Sequence, residues 1–282
     1  GHASLNQIRD IQVEDLLGRD SVRLELPELA QAVGGTTVLV TGASSGIGYA
    51  TALYLAEKGY SVIGTSRSAN RLAGLRKEAT ERGLTLATIE LDINSDEGVD
   101  TVLPSLIKEH GPVDVLVNNA GFNMWGPVES LSTEELKTQF ETNFLAPCRL
   151  IRAVLPGMVS RGHGAIVNIS SVLGRIGTPF NGAYASSKFA LEGISESLQV
   201  ELRPLGVRVA LVEPGLYGTD LIKNQTIAER ADAEDLPYRR YVEKYRSRHR
   251  RFDWFMGAPI AVAKVVHRVI RSGRPRFRYQ VG

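Results

Sequence analysis

Residues 37–48 read Thr37-Val38-Leu39-Val40-Thr41-Gly42-Ala43-Ser44-Ser45-Gly46-Ile47-Gly48: a short β-branched run that breaks into a glycine-punctuated turn. A helical pattern follows at about 46–58, and the same alternation then repeats along the chain. Apolar runs fall at 37–41, 61–66, 84–91, 113–117, 164–170 and 207–213. Helical patterns fall between them at about 70–82, 96–109, 133–160 and 184–203, with another at 259–271 and a last candidate strand at 276–281. Continuous Val/Ile/Leu runs suit strands buried on both faces, as in parallel sheets. Strand–helix repetition at this spacing predicts an α/β architecture, a doubly wound parallel sheet with right-handed crossovers. Gly59 sits where a helix C-terminus needs glycine, Ser132 and Glu135 form a capping box, and Pro147 predicts a kink or irregular turn.

Composition agrees with a globular enzyme-sized chain. The 282 residues are 43% hydrophobic and 23% charged, with a net charge of +2. That balance is too weak to make nucleic acid the main partner. No run approaches the ~18 apolar residues of a membrane span. The one cysteine, Cys148, excludes an internal disulfide and predicts a reducing, cytoplasmic setting; it reads as a small core residue. His110, His163 and His267 show no metal spacing and read as surface or helix-end residues. Residues 1–34 read as an N-terminal extension, with Gly1 and His2 as a tag remnant, ahead of a single domain over 35–282.

The turn at 42–48 carries the first chemistry. Small residues between a strand and a helix let backbone amides approach a pyrophosphate at the helix N-terminus. Gly42, Ser44, Ser45, Gly46, Ile47 and Gly48 are therefore candidate dinucleotide contacts, although an ordinary tight connection would use the same residues. Folds that bind a free ribose 2′-hydroxyl place an acid about 20 residues further on. Here the second strand ends Gly64-Thr65-Ser66-Arg67 with no acid. Ser66 and Arg67 suit a 2′-phosphate instead, with a solvated arginine as the bland reading. Asp92-Ile93, Asn118-Asn119-Ala120-Gly121, Ser170-Ser171 and Pro214-Gly215 follow the later strands, where open parallel sheets bind ligands. Asp92 alone would serve equally as a turn cap.

Tyr184-Ala185-Ser186-Ser187-Lys188 opens the helix after the 164–170 strand. Positions i and i+4 share a helix face, and an ammonium near a phenol lowers its pKa toward usable acid–base chemistry. Taken together, TGASSGIG (41–48), NNAG (118–121), Asn143, Ser171, YASSK (184–188) and PGLYGT (214–219) resemble the short-chain dehydrogenase/reductases over about 36–282. The resemblance implies a single Rossmann domain with a seven-stranded sheet and a nicotinamide cofactor. It implies Tyr184 as the proton donor or acceptor, Lys188 as its tuning partner and ribose ligand, and Ser171 as the orienter of the carbonyl. It also implies Asn143 as support for a water relay, and Pro214, Gly215 and Thr219 beside the nicotinamide. Arg67 fits the NADP-preferring subset. Ser45 stands where many such members carry a second basic residue, which points to a moderate preference.

Residues 7–34 bear a second resemblance, to the segment preceding the Rossmann domain of bacterial nucleotide-sugar dehydratases. No dehydratase activity is carried over from it, because the downstream motifs do not follow that family. The expected function is NADP(H)-dependent interconversion of a carbonyl and an alcohol. The expected substrate is bulky and apolar, steroid-, retinoid- or lipid-like. Met124, Trp125 and the aromatic-rich segment at about 216–257 motivate that expectation, with packing of those aromatics on the body as the alternative. The basic run 239–251 reads as a solvated face or as contact to an anionic group. A nucleotide-sugar dehydratase or epimerase and a non-catalytic dinucleotide sensor are the rival functions. The expected partners are a small-molecule substrate and copies of the chain, as homodimer or homotetramer. The 133–160 and 184–203 helices would form that interface through Leu136, Phe140, Phe144, Leu191, Ile194 and Leu198.

Overall fold

The computed structural model describes residues 35–215, 225–237, 239–249 and 257–282. The 1–34 extension, Thr219 and much of the 216–257 segment lie outside the described residues. The strands are β1 (Thr37–Thr41), β2 (Ser61–Ser66), β3 (Leu86–Glu90), β4 (Val115–Asn118), β5 (Met124–Trp125), β6 (Gly164–Ile169), β7 (Val207–Pro214), β8 (Thr226–Ile227) and β9 (Arg278–Val281). The helices are α1 (Gly46–Glu57), α2 (Ala73–Glu81), α3 (Asp96–His110), α4 (Thr133–Phe140), α5 (Ala146–Arg161), α6 (Gly182–Leu202), α7 (Arg239–His249) and α8 (Pro259–Arg271). Seven strands form one sheet in the order β3-β2-β1-β4-β6-β7-β9, and every pairing is parallel. This is the doubly wound Rossmann arrangement that the alternation predicts.

Period two divides the core. Val38 and Val40 of β1 face one hydrophobic cluster with Leu53 and Leu55 of α1 and Val262, Val266 and Val269 of α8. Leu39 faces the other, with Leu103 and Leu106 of α3 and Leu150, Val154 and Met158 of α5. Both faces of the strands are thus covered, which explains the unbroken apolar runs. The strand ends that carry polar residues therefore all open along one rim of the sheet.

The 133–160 helix differs from its expectation. It is α4 and α5 joined by a π-helical turn at Glu141–Leu145. Two causes act there. Pro147 has no N–H to give the carbonyl of Asn143, four residues back. The Asn143 side chain is also pulled out of the helix, accepting from Phe122 N (3.1 Å) and donating to Phe122 O (3.0 Å). The capping box forms as expected, with Ser132 Oγ accepting from Glu135 N and Glu135 accepting from Ser132 N. Gly59 has φ +86°, the left-handed conformation that closes α1.

Two further expectations are corrected. His267 is half-buried rather than superficial, because α8 packs along α1 and sets its ring edge-on to Tyr54 and Tyr60. Burial and the nearby Arg271 and Lys58 charges push its pKa down to about 4. Cys148 is half-buried rather than a core residue, and burial raises its thiol pKa.

Candidate active site

The turn has no room for a side chain at Gly42 or Gly48. Gly42 and Gly46 hold φ of +66° and +56°, and a Cβ on Gly48 would lie 2.3 Å from Gly42 O and 2.4 Å from Asn119 Nδ2. Asn119 fixes the turn from the next strand over, donating from Nδ2 to Thr41 O (2.9 Å) and Gly42 O (3.3 Å). Thr41 Oγ1 in turn accepts from the backbone N–H groups of Asn119 and Ala120, each at 3.0 Å. The 118–121 segment is thus a clamp that shapes the turn. Ser45, the N-cap of α1, makes no side-chain cap bond, so no side chain of its own occupies the helix N-terminus. Backbone amides at a side-chain-free helix N-terminus fit the pyrophosphate of a dinucleotide.

At the end of β2, Ser66 is buried and Arg67 is exposed. Glu90 stands opposite Ser66 on β3, but its carboxylate accepts from Ala69 N at 3.0 Å. No carboxylate on β2 competes with Arg67 for a ribose or its phosphate. Asp92 is exposed, and its Oδ1 accepts from Asn94 N (3.0 Å), a local turn bond. The Ile93 side chain packs in the core, and its carbonyl accepts from Arg149 at 2.7 Å. Pro214 ends β7 and Gly215 follows it, with Gly215 N donating to Val281 O at 2.9 Å.

Ser171, Tyr184 and Lys188 come together at the end of β6. All three are less than 8% exposed. Ser171 Oγ accepts from Leu173 N (3.1 Å), which orients it at the mouth of the strand, and its side chain reaches the Tyr184 hydroxyl. Lys188 Nζ donates to Ile169 O at 2.8 Å and lies 5.8 Å from the centre of the Tyr184 ring. Burial pushes Tyr184 up to about 12, opposed by the Ser171 hydrogen bond, and burial pushes Lys188 down to about 8, opposed by Glu192. Desolvation of the phenol is the larger effect on Tyr184, and Lys188 donates one hydrogen bond to a backbone carbonyl. A neutral phenol next to a serine hydroxyl can give a proton to a carbonyl oxygen.

Asn143, fully buried, ties this cluster to the clamp. Its Nδ2 donates to Ser187 Oγ (3.1 Å), beside Lys188, and to Phe122 O. Behind it, Asn118 Nδ2 donates to Asn168 Oδ1 (2.9 Å) and Asn168 Nδ2 to Ser195 Oγ (2.8 Å), which binds α6 to the sheet.

Met124 and Trp125 do not form an open pocket wall. They are buried in a two-stranded sheet with β8, and Trp125 packs 5.3 Å from Phe180, which packs 5.2 Å from Tyr245 of α7. The aromatics thus fasten the segment after β7 onto the loop that leads into α6. Phe180 has φ +64°, a costly conformation for a bulky residue, two residues before α6 begins at Gly182 and four before Tyr184. Sequence patterning missed Phe180, since nothing local marks it. A large groove of about 820 Å³ lies elsewhere, at the β9 edge, lined by Arg175, Glu213, Arg268, Arg274, Arg276 and Arg278 among others. None of the assigned site residues lines it.

Comparison with known proteins places these features in context. A family model described as short chain dehydrogenase matches residues 36–230. Retinol dehydrogenase 8 of Homo sapiens is 42% identical over 260 residues, 88% of this chain and 82% of that protein. A 3-ketodihydrosphingosine reductase of Bacteroides thetaiotaomicron is 39% identical over 192 residues, 68% of each chain. Among solved structures, a short-chain dehydrogenase from Streptomyces avermitilis superposes with a TM-score of 0.76 at 34% identity, over 88% of both chains. A metagenomic short-chain oxidoreductase in complex with NADP gives 0.71 at 29% identity, over 89% of this chain and 98% of that one. A short chain dehydrogenase/reductase from Burkholderia phymatum in complex with NAD gives 0.76 at 25% identity, over 88% and 89%.

Proposed function

The chain belongs to the short chain dehydrogenase family, and on that premise we propose that it is an NADP(H)-dependent oxidoreductase that interconverts a bulky apolar carbonyl compound and its alcohol. The observation that carries the reading is the buried Ser171–Tyr184–Lys188 cluster at the rim that also holds the glycine turn. The family binds a nicotinamide dinucleotide, and that cofactor, when bound, supplies or accepts the hydride. The chain's own residues handle the oxygen. Ser171 donates a hydrogen bond to the carbonyl oxygen, and Tyr184 gives it a proton as the carbonyl carbon is reduced. With its pKa held near 12, Tyr184 keeps that proton at neutral pH until the substrate oxygen becomes basic. Lys188 would hold the ribose and return a proton to Tyr184, with Asn143 supporting a water relay between Lys188 and solvent. Gly42 to Gly48 would receive the pyrophosphate, with Ser44, Ser45 and Ile47 contributing backbone. Asp92, Ile93, Asn119, Ala120 and Gly121 would flank the adenosine and nicotinamide ends. Ser66 and Arg67 would take the 2′-phosphate, and Pro214 and Gly215 would adjoin the nicotinamide; Thr219, which the resemblance groups with them, lies outside the described residues.

The apolar substrate rests on two supports. The relatives named for retinol and for 3-ketodihydrosphingosine handle long apolar molecules. The ring contacts of Tyr245 on α7 with Phe180 and Trp125 also set α7 against the loop that leads into α6, which favours an apolar ligand there. The same chemistry predicts a homodimer or homotetramer through α4, α5 and α6. Leu136, Phe140, Phe144, Ile194 and Leu198 remain only partly covered, and Leu145, Phe189 and Val200 are exposed on the same helices. Leu191, expected at that interface, is instead buried within the chain. Sedimentation that shows only a 30.7 kDa species at micromolar concentration would exclude the oligomer. The function is tested by following NADPH absorbance with retinal, long-chain ketones, steroid ketones and short sugars. Turnover of the apolar carbonyls supports the reading, and faster turnover of the sugars overturns it.

A further inference from the structure

Tyr184, Lys188 and Glu192 follow one another along α6 at four-residue steps, so they share one face of the helix. All three are buried, Glu192 at 4% exposure. A buried ammonium whose one hydrogen-bond acceptor is a neutral carbonyl tends to lose its proton. Lys188 is in that position, with Ile169 O at 2.8 Å. The charge that acts on it is Glu192.

Glu192 is itself held from the far end of the chain. Arg278 Nε, on β9, lies 3.0 Å from Glu192 Oε2 and 3.2 Å from Glu213 Oε1, and its guanidinium also pairs with Glu196. Arg175, just past Ser171, lies 3.5 Å from Glu213 Oε1. A Cβ on Gly174 would lie 2.7 Å from Ser170 Oγ and 3.1 Å from Glu192 Cγ, so the backbone beside Ser171 closes directly on the carboxylate arm. Three cations (Lys188, Arg175, Arg278) thus stand with three carboxylates (Glu192, Glu196, Glu213). The Glu192 Oε1 atom is shielded from solvent, with the Ser170 side chain beside it, so its charge acts in a poorly screened interior.

We propose that Glu192 is a positioning residue for the reaction, which keeps Lys188 charged while Arg278 of the last strand keeps Glu192 charged and in place. This rests on the reading of Lys188 as the ribose-binding and proton-returning group. Burial and the like charge of Glu213 raise the Glu192 pKa, and Arg278, paired with both carboxylates, opposes that rise. The last strand of the sheet is thereby part of the electrostatics of the site.

The test is the pH dependence of NADPH binding, followed by nicotinamide fluorescence from pH 6 to 10, in the wild type and three variants. In the wild type, binding weakens as pH rises through the Lys188 pKa. Lys188→Met removes that inflection and so identifies it. Glu192→Gln moves the inflection about one unit toward acid, the lower end of the effect of an adjacent opposite charge. Glu192→Asp, whose carboxylate is drawn back by one methylene, moves it by less in the same direction. An inflection that stays at the wild-type pH in Glu192→Gln overturns the proposal, even if binding weakens equally at every pH, since that is what a purely structural residue would do. Where circular dichroism shows Glu192→Gln unfolded, an unshifted Glu192→Asp inflection decides against the proposal in the same way. If wild type and Lys188→Met titrate alike, the site reading fails on its own evidence, because that comparison does not involve Glu192, and the proposal falls with it.

Discussion

Replacing Gly48 with alanine should damage both the fold and the cofactor site, and the size of the effect follows from the turn. The added methyl would lie 2.3 Å from Gly42 O, about 1.1 Å inside the 3.4 Å at which ordinary contact begins. It would also lie 2.4 Å from Asn119 Nδ2, the atom that clamps the turn through Thr41 O and Gly42 O. Neither neighbour is the free end of a long side chain, so backbone must move. Overpacking of this kind costs roughly 1–3 kcal/mol, and each hydrogen bond lost adds about 1 kcal/mol, for a total of about 2–4 kcal/mol. Urea unfolding should show this as a lower midpoint with an unchanged slope. NADPH should bind at least tenfold more weakly, which corresponds to about 1.4 kcal/mol. Gly74→Ala is the matched control. It lies in α2 with nothing within 4 Å of its Cβ and should be neutral or up to about 1 kcal/mol stabilising. A Gly48→Ala protein with wild-type midpoint and wild-type NADPH affinity would refute the reasoning about the turn.

Arg67→Asp should exchange the cofactor preference, since it removes an arginine–phosphate contact worth roughly 1–3 kcal/mol and adds repulsion; equal wild-type dissociation constants for NADPH and NADH would contradict the premise. His267 should make the fold acid-sensitive. Its folded pKa of about 4 lies below the ordinary 6.5, so the unfolded chain binds the extra proton between those values. The stability it contributes is complete above pH 6.5 and is lost as pH falls toward 4, by roughly 1–2 kcal/mol after allowance for solvent screening. His267→Phe, which keeps a ring against Tyr54 and Tyr60, should flatten that part of the stability–pH curve; an unchanged slope between pH 6.5 and 4 would show that the histidine is not the group responsible.

What the sequence made legible follows from where the physics is local. Val38, Leu39 and Val40 announce a doubly covered strand because each lies in a different or alternating core layer, and the run has no polar gap. The turn at 42–48 is legible because only glycine tolerates the φ values and close approach it requires. Ser171, Tyr184 and Lys188 are legible through helix spacing and strand-end position, and the structure brings them together. The break inside 133–160 was only half visible. Pro147 marks it locally, but the Asn143 bonds to Phe122 span 21 residues and leave no trace in helical periodicity. β5 was missed because its partner, β8, lies about a hundred residues away, and neither run is long enough to read alone. Leu191 reads as part of one apolar face with Ile194 and Leu198, yet it is fully buried while those two are only partly covered. The Arg278–Glu192 pair spans 86 residues, so Glu192 looks like an ordinary helix-surface acid until β9 is placed at the sheet edge. His267 and Cys148 were misjudged for a related reason: helix-on-helix contact decides their burial, and a single sequence does not show which helices meet.

The proposed reaction moves a hydride between NADP(H) and a carbonyl while Tyr184 moves the proton. Stoichiometry reads it directly: NADPH oxidised against alcohol formed from the best carbonyl of the panel, in wild type and Tyr184→Phe, with NADPH affinity measured in both. The wild type should consume one NADPH per alcohol. Tyr184→Phe should turn over roughly 10²–10⁴-fold more slowly, the usual contribution of a general acid, with NADPH affinity nearly unchanged. Product formed without net NADPH consumption, or a Phe variant that retains more than about a tenth of the wild-type rate against that expectation, would contradict it.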